Sequence, residues 1–91
     1  MNNKQQRTLT TLFGNSVRSD IVWSDIERLI IGLGGEVKER EGSRVAFLLN
    51  ERVAIFHRPH PERVTNKLTV RDVRKFLVNA GVVEKEGQDE V

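Results

Sequence analysis

The chain contains no cysteine and no tyrosine, one tryptophan, one methionine and only two prolines. Without cysteine, neither a disulfide staple nor a thiolate zinc cluster can support the fold. That composition suits a reducing compartment, and a cytoplasmic location is expected. With four phenylalanines and one tryptophan as its aromatic set, most of them needed for a core, the chain has few rings left for stacking on unpaired bases. Sequence-specific reading of single-stranded nucleic acid is therefore not expected. No apolar run is long enough for a signal peptide or a bilayer span, so no membrane association is expected. The 91 residues correspond to one small domain with a modest core.

The formal charge of +2 conceals an uneven distribution. Residues 58–75 hold Arg58, Arg63, Lys67, Arg71, Arg74 and Lys75 against Glu62 and Asp72, a block basic enough to attract a polyanion. Residues 84–91, EKEGQDEV, are acidic and read as a disordered tail. Residues 1–20 read as an arm docked on the core, with Leu9, Leu12 and Phe13 in a helical turn. Residues 21–83 form the domain.

Ser24-Asp25-Ile26-Glu27 has the form of a capping box, and Trp23 before it can act as a hydrophobic staple. Ile26, Leu29, Ile30 and Leu33 follow at helical spacing, and Gly34-Gly35 supplies the left-handed residue that ends a helix. Three strands are read next: 36–41, polar enough for an edge; 44–49, with Val45, Phe47 and Leu49 on one face; and 52–56. Asn50-Glu51 is the tight turn between the last two. A second helix begins near Thr69, read as its cap, with Asp72 in the first turn and Val73, Phe76, Leu77 and Ala80 as its apolar stripe. Gly81 closes it. The result is an α+β domain ordered helix–strand–strand–strand–helix, with two helices on one face of an antiparallel sheet and the other face open.

Both histidines and both prolines fall in one stretch, Phe56-His57-Arg58-Pro59-His60-Pro61. This stretch is part of a wider resemblance to the HicA toxins, which implies RNA cleavage, and without a metal that reaction needs a base for the ribose 2′-hydroxyl, an acid for the leaving oxygen and positive charge for the phosphorane. Histidine titrates near neutrality and suits the proton transfers. Arginine keeps its charge and binds two phosphate oxygens with its fork. His60 with His57 are thus candidates for acid–base work, and Arg44 and Arg58 for holding the phosphate. Pro59 and Pro61 stiffen the loop. In an extended run, side chains three apart point to opposite sides, and His57 continues the alternation of Val53 and Ile55 on a sheet face. Two histidines without a thiolate or a suitably placed carboxylate make a poor zinc site, and no metal or cofactor is expected. Arg63, Lys67, Arg71, Arg74 and Lys75 are candidate phosphate contacts, the helical ones read as lying opposite the apolar stripe.

The stretches 21–27, Gly42-Ser43-Arg44-Val45, FHRPHP and 70–77 resemble the HicA toxins of type II toxin–antitoxin systems, over roughly residues 8–83. The resemblance implies a double-stranded-RNA-binding-domain-like fold, an mRNA interferase that cleaves RNA, and a HicB antitoxin as protein partner. It also locates a departure. Better-known members carry a catalytic histidine just after the Gly-Ser that opens the second strand, whereas Gly42-Ser43 is followed here by Arg44; His60 matches a second family histidine. The alternative is a module that keeps the fold and binds RNA or antitoxin without cutting.

Overall fold

The computed structural model describes residues 1–83, so the acidic tail lies outside the described residues. Three helices and five strands follow in the order α1 (Asn3–Leu12), β1 (Ile21–Val22), α2 (Trp23–Gly32), β2 (Glu36–Glu39), β3 (Arg44–Leu49), β4 (Arg52–His57), β5 (Val64–Thr65) and α3 (Lys67–Asn79). β2, β3 and β4 form an antiparallel sheet in that order, and β1 pairs with β5 in a separate ribbon. Helices α2 and α3 pack over the sheet, α2 against β2 and α3 against β4. The expected helix–strand–strand–strand–helix core is therefore present, with a helix and a ribbon added.

The alternation along β3 divides the sheet into two faces. Val45, Phe47 and Leu49 point inward and are buried, together with Phe56 of β4. Phe47 lies 5.5 Å from Trp23 in a stacked pair and 4.9 Å from Phe56 in a tilted one, ring separations at which aromatic pairs attract. Ile26, Leu29 and Ile30 of α2 and Val70, Val73, Phe76 and Leu77 of α3 complete this core.

The turns follow residue chemistry. Asn50 and Glu51 both have positive φ, 52° and 68°, the backbone of a two-residue hairpin turn whose twist matches the strands it joins. Gly34 has φ 94°, and at Gly35 a Cβ would come within 2.6 Å of the Leu48 carbonyl oxygen, so only glycine lets α2 return beneath β3.

Both helix starts depart from the sequence reading. α2 begins at Trp23, one residue before the expected Ser24 cap, and no side chain caps it. The Trp23 N–H donates to the Arg63 carbonyl at 2.8 Å, so pairing of β1 with β5 supplies from across the fold what the serine was expected to supply locally. Ser24 Oγ instead accepts from Arg28, and Glu27 turns to Trp23 and Arg58. α3 begins at Lys67, not near Thr69: Asn66 Oδ1 accepts from the Thr69 N–H at 2.8 Å, and asparagine is the stronger cap. Asp72 consequently sits beyond the first turn.

The N-terminal segment is a full ten-residue helix rather than a turn. Asn2 and Gln5 form its reciprocal capping box. Leu12 is completely buried and α1 packs along α2. Its C-terminal end is held by Arg74, which donates to the carbonyls of Leu12 and Gly14 and lies 5.8 Å from the Phe13 ring centre. Arg74 was expected on the outer side of α3; it is buried, because the chain after α1 brings backbone acceptors to it.

Candidate functional site

The site is built at the end of the hairpin β3–β4, where three chain segments meet. Register pairing sets Arg44 directly opposite His57. Directly opposed residues of antiparallel strands project to the same face with their Cβ atoms about 4.5–5.5 Å apart. By the same alternation this is the outer face, opposite to buried Val45 and Phe56, and both side chains are exposed. Arg44 Nε donates to the Glu41 carbonyl at 3.3 Å, which keeps the guanidinium near the Gly42 turn. The Arg58 N–H donates to the Ser43 carbonyl at 2.7 Å, extending the ladder one step beyond His57. The Gly42-Ser43 turn and the start of the FHRPHP loop, far apart in sequence, are thus bonded neighbours.

Arg58 does not face the outer surface. Its Nε donates to Glu27 Oε2 at 2.9 Å, and its two terminal nitrogens each reach a Glu39 oxygen at 3.0 Å. The hydrogen bonds to Glu39, then those to Glu27, hold its pKa above the ordinary guanidinium value. Glu27 also accepts from the Trp23 indole N–H. Nε and both terminal nitrogens of Arg58 are thus each engaged by a carboxylate, so its charge is matched within the fold. What Arg58 does is tie the loop to α2 and β2. Residues 58–63 are anchored at their far end too, since Arg63 is the residue whose carbonyl receives Trp23. Between these anchors Pro59, His60 and Pro61 arch over Trp23 and Ser24, leaving a shallow cavity. His60 is exposed there, and its bond to Pro61 is cis.

Of the expected phosphate contacts on α3, Lys67, Arg71 and Lys75 are exposed and recur every four residues, which sets them along one side of the helix. Arg63 is exposed in the approach to α3. Arg74 is turned inward, as described. The structure thus brings Arg44 together with His57, leaves His60 on the tethered loop that follows His57, and engages Arg58 and Arg74 in internal bonds. Sequence reasoning missed the partners Glu27 and Glu39, because a carboxylate on a helix and one on an edge strand give no local sign of converging on one arginine. Among the described residues, no cluster of three or more His, Asp or Glu side chains has a metal-holding arrangement, and no helix is long and apolar enough to cross a membrane.

Searches of curated proteins and of solved structures return no match. A family model described as the HicA toxin of bacterial toxin–antitoxin systems matches residues 23–82. The match runs from the first residue of α2 to just beyond α3, taking in the sheet and the histidine loop and leaving α1 outside it. Since it spans most of the chain and coincides with the core that carries Arg44, His57 and His60, the chain belongs to the HicA toxin family.

Proposed function

We propose that the protein is an RNA endoribonuclease, an mRNA interferase neutralised by a HicB-like antitoxin, and that its chemistry is carried by His57 and Arg44 on the outer face of the β3–β4 hairpin together with His60 of the loop that follows. One observation carries this reading: His57 stands across the ladder from Arg44, the position after Gly42-Ser43 where the family resemblance leads one to look for histidine. An imidazole one strand over delivers the same group to the same patch, and Arg44 adds the positive charge beside it.

In this scheme one histidine of the pair His57 and His60 takes the proton from the 2′-hydroxyl as its oxygen attacks phosphorus. The other protonates the departing 5′-oxygen as the phosphorus–oxygen bond breaks, leaving a cyclic 2′,3′-phosphate. Arg44 balances the charge of the phosphorane. Arg58 positions the loop through Glu27 and Glu39. Lys67, Arg71 and Lys75, with Arg63, track the RNA backbone, and each phosphate lost on substitution lowers the salt slope of binding by about 0.7–0.9.

The test is cleavage of an unstructured RNA by purified, metal-free protein, with His57→Ala, His60→Ala and Arg44→Ala in parallel. The expected result is that all three fold and bind RNA, while the histidine variants fail to cut. A protein that binds RNA and never cuts it overturns the catalytic reading. The specific observation favouring that second reading, a binding module, is that arginine occupies position 44.

A further inference from the structure

The two edges of the three-stranded sheet are protected differently. β2 is four residues long and exposes Glu36, Lys38 and Glu39, the charged, short edge that resists pairing with another chain. β4 is six residues long, has neither lysine nor proline, and leaves Val53 59% and Ile55 48% exposed. Its backbone is available as well. The two-residue turn makes Leu49 and Arg52 a bonded pair, so residues 52, 54 and 56 bond to β3 and Arg58 continues that parity by donating to Ser43. Val53, Ile55 and His57 therefore present their N–H and C=O groups to the free edge.

Beside this edge runs a groove of about 290 Å³ between β4 and α3, lined by Arg52, Val53, Asp72, Lys75, Phe76 and Asn79 among others. Arg52 and Lys75 form no ion pair among the described residues, and Asp72, the one carboxylate present, pairs with neither. The groove thus combines an open ladder, an apolar flank and two cations against one carboxylate.

We propose that the β4 edge is the docking site of an extended acidic segment of a partner protein, which adds to the sheet as a fourth strand. A peptide in β conformation offers an N–H and a C=O at every second residue, which is the spacing that Val53, Ile55 and His57 require. Its alternate side chains then divide between the apolar outer face and the cationic groove. A second copy of this chain fits poorly, since its own β4 strand, Arg52–His57, carries no carboxylate to meet Arg52 and Lys75. An RNA backbone carries a 2′-hydroxyl donor on each nucleotide but not the alternating N–H and C=O pattern of a strand, and it has no apolar groups for Val53 and Ile55. A strand seated here lies alongside His57. Its inhibiting cleavage rests on the reading given under Proposed function; its docking does not.

The experiment uses the full chain with labelled amides and short blocked peptides of alternating valine and glutamate, about the length of β4, against the same peptides with lysine for glutamate. Expected are slowed exchange of the Val53, Ile55 and His57 amides and binding at least about tenfold tighter for the glutamate series. Ile55→Lys, checked for folding by thermal unfolding, should weaken binding about tenfold. Arg52→Glu combined with Lys75→Glu should reverse the charge preference. Equal binding of the two series, or perturbation confined to β2, overturns the proposal. So does a short RNA that perturbs the β4 amides when no peptide does, which would make the edge a nucleic-acid surface. Concentration-dependent dimerisation protecting the same amides would assign the edge to a second copy and also overturn it.

Discussion

The inner and outer faces of the β2–β3–β4 sheet are made by the same residues taken alternately, yet they carry unlike loads. Phe47 and Phe56 face inward against Trp23 and Phe76, where each ring has aromatic neighbours within 6.4 Å. Arg44, Ile55 and His57 face outward and are exposed. The same contrast separates the arginines. Arg58 and Arg74 are consumed by carboxylates and carbonyls that hold elements together, whereas Arg44, Arg52 and Arg71 reach the surface. A residue's contribution here depends on which side of the ladder or helix it occupies more than on its type, and substitutions should separate accordingly into those that loosen the fold and those that leave it intact.

The sharpest test of the inner face is Phe47→Ala, which should cost about 3–5 kcal/mol in denaturant unfolding because the ring's cavity cannot collapse between two helices and a sheet. For a domain of this size that is a large part of total stability. Arg74→Ala should cost about 2 kcal/mol, since the Leu12 and Gly14 carbonyls lose their charged donor, with faster proteolysis around residues 12–16 as the local signature. Unchanged proteolysis there would mean that α1 is held by apolar contacts alone.

Arg58→Gln should lower stability by about 1 kcal/mol, discounted because the side chain is partly open to solvent. Its larger effect should be loss of order in residues 58–63, read from amide exchange. As the raised pKa of Arg58 places its titration above the range of ordinary solutions, the contribution of its charge is fully present throughout the neutral range and is lost as pH rises through that elevated value. The smallest stability effect belongs to the outer face: His57→Ala should stay within about 0.5 kcal/mol of the parent, while RNA cleavage falls by about 100-fold or more. If His57→Ala unfolds the protein as readily as Phe47→Ala, the division between the faces fails.

Much of this was determined by local sequence. The alternation of Val45, Phe47 and Leu49, the helical stripes beginning at Ile26 and Val73, and the glycines at 34 and 81 each act through neighbours a few residues away, so periodicity and turn chemistry reach the answer without knowledge of the fold. The Asn50-Glu51 turn was legible for the same reason, and with it the register that sets Arg44 against His57. Only the tertiary structure decided where α2 starts, because the Trp23 N–H is satisfied by Arg63 forty residues on. It alone decided that Arg58 closes on Glu27 and Glu39 and that Arg74 caps the end of α1 from 62 residues away. A long charged side chain sweeps a wide volume, and its partner is whichever acceptor the folded chain delivers. That choice follows from the assembled distances, and no local pattern encodes it.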